Sequence, residues 1–187
     1  MLPAQHNLDG VLIDFLQSGA EALPNDLRAI VASRIEFSKA LLELETFSLL
    51  KWNRLTKTLV IHRLVQTAIT DQMSEERTTL SITILNLCDE SFPKVWNYET
   101  RPICRAYFSQ VFTPLLSIKY GQARNAADII ERVGKFLWND GKYNERIQLL
   151  CEVVVVRAAY GGADNQSTMI SMNDLAVTYS WQGKFTS

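Results

Sequence analysis

Gly141-Lys142-Tyr143 returns as Gly183-Lys184-Phe185, which is a spacing of 42 residues. The residues around each copy fit a helix, a tight turn and a second helix. A period of roughly 20–50 residues is typical of stacked helical hairpins, in which each hairpin buries its apolar face against the next. Such arrays present a surface to another molecule, so the repeat favours recognition over catalysis.

Three helices are predicted around this repeat, at about 126–139, 144–159 and 168–182, with a loop at 161–165. Gly141 and Gly183 are the predicted turn residues, because glycine adopts backbone conformations that other residues avoid. The apolar residues predicted to pack the two hairpins are Ile130, Val133, Leu137, Tyr143 and Leu150 in the first, and Met172, Leu175, Ala176, Tyr179 and Phe185 in the second.

The residues before the repeat predict helices around one small hairpin. A short apolar helix is predicted to start at 11–16, and Pro24-Asn25-Asp26 is a helix-start signal. Two strands are predicted at 47–51 and 58–62, followed by a helix. Three further helices are predicted. The first has a single apolar face made of Phe37, Ala40, Leu41 and Leu44. The second follows Ser74-Glu75-Glu76 and has Leu80, Ile84, Leu87 and Cys88 on one face, and the third starts at Arg101-Pro102 and is ended or kinked by Pro114.

The repeat resembles a known family. Ser171-Met172-Asn173-Asp174-Leu175-Ala176, then Tyr179 and Gly183-Lys184-Phe185, resembles the tetratricopeptide repeat (TPR) of the kinesin-light-chain-like type. That family has small residues where Arg146 and Val153 stand, so altered helix packing is expected there. The second unit stops at Ser187 before its second helix, and the resemblance therefore implies a truncated array.

The resemblance also implies a binding groove lined by the first helix of each hairpin. Its positions here are Asp128, Glu131, Lys135, Trp138, Asn139, Asn173, Val177 and Trp181. The implied partner is a protein or peptide, and self-association stays open. For the two tryptophans, packing between neighbouring hairpins is the favoured alternative, because aromatic residues at helical spacing usually belong to a core.

Residues upstream of the repeat resemble a second family. Lys39-Ala40-Leu41, then Phe47-Ser48-Leu49-Leu50 and Ile61-His62-Arg63-Leu64-Val65-Gln66, is similar to the winged-helix part of NB-ARC signalling ATPases (STAND or NLR-like) that carry TPRs. The resemblance implies that His62 and Arg63 adjoin bound ADP in a complete relative. The alternative is that His62 only caps a helix, and this alternative is favoured for the chain by itself.

The sequence lacks the motifs that nucleotide binding and catalysis would require. Each Gly-Lys pair, at 134, 141 and 183, lacks both the glycine five positions earlier and the Ser or Thr that a P-loop requires. No Gly-x-Ser-x-Gly or His-Glu-x-x-His is present. Two histidines and three separated cysteines also provide no zinc motif. The expectations are a protein that is not an enzyme, with no cofactor and no metal, and with ADP or ATP bound only in a full-length relative.

Net charge and hydropathy narrow the classes of function and the cellular locations that remain. The net charge is −1, and residues 1–75 hold seven Lys and Arg against nine Asp and Glu. DNA binding by the winged helix is the alternative function, but nucleic acid is disfavoured because phosphate contacts need more cations. No signal peptide or membrane-spanning segment is apparent, so a cytoplasmic protein is expected.

The combined expectation is a mainly α-helical chain. Residues 1–74 are predicted to be a winged-helix segment with a small β-hairpin, 75–121 a helical linker, and 122–187 the start of a TPR-type array. The expected function is a protein–protein interaction or scaffold module of an NB-ARC–TPR signalling protein without its NTPase core.

Overall fold

The computed structural model describes residues 10–72, 77–117 and 126–185. Within them the protein is mainly α-helical, as the sequence predicted, and it contains a small antiparallel sheet. The chain divides into two compact units, Met1–Ser91 and Phe92–Ser187. The predicted helix signal at 74–76 and the predicted start of the repeat region near residue 122 lie outside the described residues.

The first unit surrounds its sheet with helices. Its elements are β1 (Val11–Leu12), α1 (Ile13–Ser18), a 3-10 turn (Ala20–Ala22), α2 (Asn25–Ala32), α3 (Arg34–Thr46), β2 (Leu50–Asn53), β3 (Thr58–Ile61), α4 (Arg63–Gln72) and α5 (Arg77–Ser91). Its buried core is Ile13, Ala20, Val31, Phe37, Leu41, Leu50 and Leu59.

The predicted hairpin is present, with β2 and β3 joined by a turn at 54–57. Asn53 shapes this turn, because its side-chain oxygen accepts hydrogen bonds from the backbone N–H groups of Leu55 and Thr56 at 3.0 and 3.1 Å. The strands are shorter than predicted at their outer ends. Phe47 caps the end of α3 and Ser48 has a φ of 59°, so the chain must turn before β2 can begin.

The helix predicted at 11–16 is present, but its predicted start was wrong: Val11 and Leu12 form a third strand, and the helix begins at Ile13. The sheet order is β1-β3-β2, with Val11 opposite Leu59. The backbone N–H of Ile13 also donates to the carbonyl of Lys57 at 2.9 Å. A short apolar run fits either a helix or a strand, and here the free edge of β3 decides in favour of a strand.

The predicted apolar faces in this unit are buried only in part. On α3, Phe37 and Leu41 are buried while Leu44 is 38% exposed. On α5, Leu87 and Cys88 are buried, but Leu80 is 37% exposed and Leu85 is buried in its place. The neighbouring elements therefore cover only part of the apolar face that the sequence predicted on each of these two helices.

The second unit is built from four described helices: α6 (Arg101–Leu116), α7 (Ala127–Asn139), α8 (Tyr143–Gly161) and α9 (Gln166–Phe185). α6 packs on α7 and α8, and α8 packs on both α7 and α9. Pro114 does not end α6, which continues to Leu116. Residues 75–121, predicted as a linker, supply α5 to the first unit and α6 to the second.

Gly141 forms the predicted turn between α7 and α8. Its φ is 73°, and it lies just past the end of α7. The N–H of Lys142 donates to the carbonyl of Leu137 at 2.9 Å, and that of Gly141 to Trp138 at 3.3 Å, which is the hydrogen-bond pattern of a Schellman cap.

The turn predicted at Gly183 was wrong, because α9 runs through this residue to Phe185. At Gly141 the cap is held in place because α8 packs back on α7. Among the described elements, none packs back on the end of α9 as α8 packs back on α7.

The first hairpin buries the side chains that its pattern predicted. Ile130, Val133, Leu137 and Leu150 are at most 7% exposed, and Tyr143 is half-buried. The pattern missed Ile129 and Phe136, which are fully buried. The 13-residue helix α7 therefore faces neighbours over a wider arc than one repeat pattern indicates.

The predicted packing of α9 was wrong at Met172, Ala176 and Tyr179, which are exposed, while Leu175 is half-buried. The side chain of Phe185 lies outside the described residues. The buried residues among the described side chains of this helix are Thr168, Ser171 and Thr178. The physical reason lies on α8, which faces α9 with two arginines. Their guanidinium groups require acceptors, and hydroxyl groups supply them where methionine and tyrosine were expected.

Candidate functional site

The predicted groove positions on α7 form an exposed row. Asp128, Glu131, Lys135 and Asn139 are all exposed. Lys135 Nζ lies 2.6 Å from a carboxylate oxygen of Glu131, and this hydrogen bond lowers the pKa of Glu131. Asn139 donates its amide to the carbonyl of Lys135 at 2.7 Å. The row is therefore ordered by contacts within the helix.

Trp138 lies beside this row on α7 and contacts α9, the third predicted helix. Its ring centroid lies 5.5 Å from that of Trp181, with the planes at 75°. Tyr143 approaches the other side, at 5.6 Å and 74°. Trp138 is half-buried and Trp181 is 39% exposed. The two indoles pack edge to face between α7 and α9, and each also keeps surface open to solvent.

Arg146 supports the tryptophan pair from α8. Its guanidinium carbon lies 4.6 Å from the centroid of Trp138, within the range of a cation–π contact. Nη1 donates to the hydroxyl of Thr178 on α9 at 2.9 Å. Burial lowers the pKa of Arg146, while the charges of Asp174 and Tyr143 act in the opposite direction. The arginine expected to disturb the packing instead joins α7, α8 and α9.

A second arginine secures the opposite end of the α8–α9 pair. Arg157 Nη1 donates to the hydroxyl of Ser171 at 2.5 Å and to the carbonyl of Ser167 at 3.1 Å. Arg146, near the start of α8, bonds to the later part of α9, and Arg157, near the end of α8, bonds to the early part. The two helices therefore run antiparallel.

The remaining predicted positions, Asn173 and Val177, lie on α9 with Trp181 at four-residue spacing. All three are exposed. Among the described contacts, only the Trp138–Trp181 pair joins the predicted positions of α7 to those of α9. We call the set formed by Asp128, Glu131, Lys135, Trp138, Asn139, Asn173, Val177 and Trp181 the α7–α9 surface.

Sequence reasoning missed the arginine–hydroxyl pairs that hold this surface. Thr168, Ser171 and Thr178 share one side of α9, and this row of hydroxyls was the available signal. The hydroxyls of Ser171 and Thr178 accept hydrogen bonds from arginines of α8, whereas the buried hydroxyl of Thr168 has no hydrogen-bond partner among the described residues. Arg146 and Arg157, eleven residues apart on one face of α8, were the corresponding donors.

His62 lies between β3 and α4 and makes the contacts of a helix cap. Its side-chain Nδ1 accepts a hydrogen bond from the backbone N–H of Leu64 at 3.3 Å, and the backbone N–H of His62 donates to the carbonyl of Leu49 at 3.1 Å. Arg63 begins the helix, and both side chains are exposed. This geometry accounts for His62 as the residue that ends the hairpin and starts α4.

Most of the described side chains of α4 are exposed to solvent. Among its residues whose side chains are described, only Val65 is half-buried, while Leu64 and Ile69 are 73% and 43% exposed. Arg63 is its single cation. The helix is accessible, but it brings little positive charge to its surface.

The described part of the chain gives no support for a metal centre or a membrane span. No group of three His, Cys, Asp or Glu residues within it could hold a metal ion. Likewise, none of its described helices combines the length and the apolar character needed to cross a bilayer.

Comparison with known proteins matches part of the first unit to a family model. A family model described as a domain of unknown function (DUF7779) matches residues 6–78, which include β1 to α4. No curated protein matches the chain, and no solved structure matches it.

Proposed function

We propose that this protein is a protein–protein interaction module that binds a peptide segment of its partner on the α7–α9 surface. The observation that carries the proposal is the contact of Trp138 with Trp181 at 5.5 Å. It places the ends of two helices of the repeat side by side, with α8 packed on both. Antiparallel helices stacked in this way form extended binding surfaces in repeat proteins.

The chemistry of the surface fits a peptide better than a small molecule. Its α7 half is charged and its α9 half offers the amide of Asn173, the side chain of Val177 and the open edge of Trp181. Amides bind peptide backbone groups, and half-exposed tryptophans are common anchors in protein interfaces. A peptide lying across both helices would use both halves.

The wider assignment rests on the resemblance to NB-ARC–TPR signalling proteins. We propose that the chain acts as the sensing and transmitting portion of such a protein. The α7–α9 surface would bind the partner, and the first unit, with its hairpin and α4, would transmit binding to a nucleotide switch. The exposed α4 supplies an accessible face for that contact.

A peptide library displayed on phage and selected on the purified protein tests the proposal. Selected peptides are then measured by calorimetry against Asn173→Ala and Lys135→Ala. We expect each variant to weaken binding by about tenfold, because each removes one polar contact worth about 1.4 kcal/mol. Gln148→Ala, an exposed residue on α8, is the matched control and should leave the dissociation constant unchanged.

Two results would contradict the proposal. One is a selection that yields no peptide with saturable binding. The other is a peptide whose affinity responds to Gln148→Ala as strongly as to Asn173→Ala, since that would place the binding site outside the α7–α9 surface.

The exposure of α4 beside the β2–β3 hairpin favours DNA binding as a second candidate, because a recognition helix must be accessible to enter a groove. Its single cation, Arg63, argues against strong binding. A mobility-shift assay with random duplex at low salt separates the two functions. Saturable binding that weakens steeply with added salt, and that Arg63→Gln reduces, would support the DNA-binding candidate.

A further inference from the structure

One side of α9 carries a row of exposed residues whose spacing alternates between three and four. The row consists of Met169, Met172, Ala176, Tyr179 and Gly183. The side chains of Met169, Met172 and Tyr179 are 51%, 40% and 50% exposed. Alternating spacings of three and four form the seam along which one helix packs on another. We call this row the α9 seam, and its pattern is that of a contact with a further helix.

The α9 seam is distinct from the α7–α9 surface. Successive residues of a helix are rotated by about 100°, so Val177, directly after Ala176, faces away from the seam. The seam instead borders α8, because Tyr179 lies beside Cys151, which raises the pKa of the Tyr179 hydroxyl through its charge and a hydrogen bond. Val155, one turn further along α8, is 60% exposed. It extends the apolar border of the seam.

The seam has no charged residue. Asp174 is the single charged residue among the described side chains of α9, and it is half-buried, with its charge acting on Arg146 of α8. By contrast, the exposed row of α7 contains Asp128, Glu131 and Lys135. The cores of protein interfaces are depleted in charged residues and enriched in methionine and tyrosine. The composition of the seam is therefore that of an interface and not of a solvated helix face.

The seam is complementary to a second copy of itself. Met169 and Gly183 are equally distant from Ala176 along the chain. Around a twofold axis at Ala176, two antiparallel copies of α9 place each Met169 opposite the partner's glycine at the other end of the seam. The same axis places Met172 beside Tyr179 of the second copy, which is a favourable contact between sulfur and an aromatic ring. An uncharged seam also brings no repulsion between identical faces.

Gly183 fits this arrangement through its lack of a side chain. It lies within α9, and no described atom is within 4 Å of a methyl group added there. Glycine weakens a helix relative to alanine, so neither a turn nor crowding within one copy accounts for it. In the antiparallel pair, the open space above Gly183 receives the side chain of Met169 from the second copy.

We propose that this protein forms a weak antiparallel dimer in which the α9 seams of two copies pack on each other around Ala176. At about 1.5 Å per residue, the seam is about 20 Å long. A contact of this length is at the small end of specific interfaces, which bury about 800 Å² per partner, so the dimer dissociates on dilution. The proposal goes beyond peptide recognition, because it uses a different side of α9.

Sedimentation equilibrium of the whole protein tests the proposal, at concentrations from about 1 μM to about 1 mM and with a reducing agent to prevent disulfides. We expect the mass to rise from monomer to dimer over this range. Ala176→Glu should weaken dimerisation by about tenfold or more, because it places two like charges at the axis. Ala176→Lys should do the same. An equimolar mixture of the two variants should dimerise, because opposite charges then meet at the axis.

Ile170→Glu is the matched control, since Ile170 is 53% exposed on the same helix but lies outside the seam. It should leave the dissociation constant of the dimer unchanged, and circular dichroism establishes that each variant is folded. A protein that stays monomeric throughout would overturn the proposal, as would a dimer that Ile170→Glu weakens as strongly as Ala176→Glu. A mixture of the Ala176→Glu and Ala176→Lys variants that stays monomeric would overturn the antiparallel pairing around Ala176.

Discussion

Arg146 on α8 donates a 2.9 Å hydrogen bond to the hydroxyl of Thr178 on α9. The hydroxyl itself donates to the carbonyl of Asp174 at 2.6 Å, so it is oriented to accept from the arginine. Thr178 is fully buried. This pair connects the helix that carries Trp181 to the helix on which Trp138 packs, and the first prediction tests how much stability it provides.

Thr178→Val should destabilise the protein by about 2 kcal/mol, because it leaves a half-buried guanidinium without its acceptor. Urea unfolding followed by circular dichroism measures the change. Thr46→Val is the matched control, since Thr46 makes the same type of bond to the carbonyl four residues earlier but is exposed and has no arginine partner. Combining Thr178→Val with Arg146→Met should recover part of the loss, and strict additivity of the two changes would contradict the coupling.

The second prediction concerns Asp140, whose side chain is 3% exposed and accepts hydrogen bonds from Arg101 and Arg105 of α6 at 2.8 and 3.0 Å. Burial by itself raises the pKa of Asp140, but the hydrogen bonds and charges of the two arginines outweigh it and hold the pKa below its ordinary value. A lowered pKa in the folded state gives stability that is present above the unfolded-state pKa of about 3.9 and is lost as the pH falls below it.

Asp140→Asn should therefore destabilise the protein at neutral pH. The stability of the variant should also fall less steeply than that of the unmodified protein as the pH is lowered into the acid range. We expect the free energy of unfolding at neutral pH to fall by about 2 kcal/mol. Breaking a fully buried ion pair costs roughly 3–5 kcal/mol, and the loss is smaller here because the arginines are partly exposed. Melting temperatures between neutral pH and pH 3 measure the effect. Asp164→Asn, in the exposed loop after α8, controls for the change in net charge. An acid profile of Asp140→Asn that parallels the unmodified protein would show that this pair does not stabilise the fold.

Much of this fold could be predicted because the repeat keeps a regular apolar period. The helices predicted at 126–139 and 144–159 are α7 and α8 to within two residues at each end, and the last predicted helix lies inside α9. The hairpin followed from two short apolar runs around a turn. Packing of Trp138 and Trp181 between neighbouring hairpins was the favoured alternative in the sequence, and their ring centroids lie 5.5 Å apart.

The predictions that failed concerned interactions with residues distant in sequence. Val11 and Leu12 became a strand because β3, almost 50 residues later, offers an edge. The hydroxyl face of α9 depends on Arg146 and Arg157. The repeat pattern treated Arg146 as a departure and gave Arg157 no role.

The third prediction uses two glycines with opposite surroundings. A methyl group added at Gly19 would lie 2.2 Å from the hydroxyl oxygen of Ser91 and 2.8 Å from the carbonyl of Leu87, both on α5. Gly134, inside α7, has no neighbour within 4 Å of that position. Gly19→Ala should destabilise the protein by about 2–3 kcal/mol through overpacking, whereas Gly134→Ala should stabilise it by about 0.5–1 kcal/mol.

Urea unfolding of both variants under one set of conditions measures these changes, and each serves as the control for the other. Gly19→Ala with unchanged stability would mean that α1 and α5 separate easily. That result would also contradict the 2.8 Å hydrogen bond from Ser91 to the carbonyl of Phe15, which joins the same two helices.

The last prediction is that millimolar ADP or ATP with Mg²⁺ does not change the melting temperature. His62 already accepts the N–H of Leu64 through Nδ1, and the chain has no P-loop whose backbone could surround a phosphate. Differential scanning fluorimetry measures the shift, with His62→Ala as the variant. An upward shift that His62→Ala abolishes would contradict this prediction and would assign nucleotide binding to the start of α4.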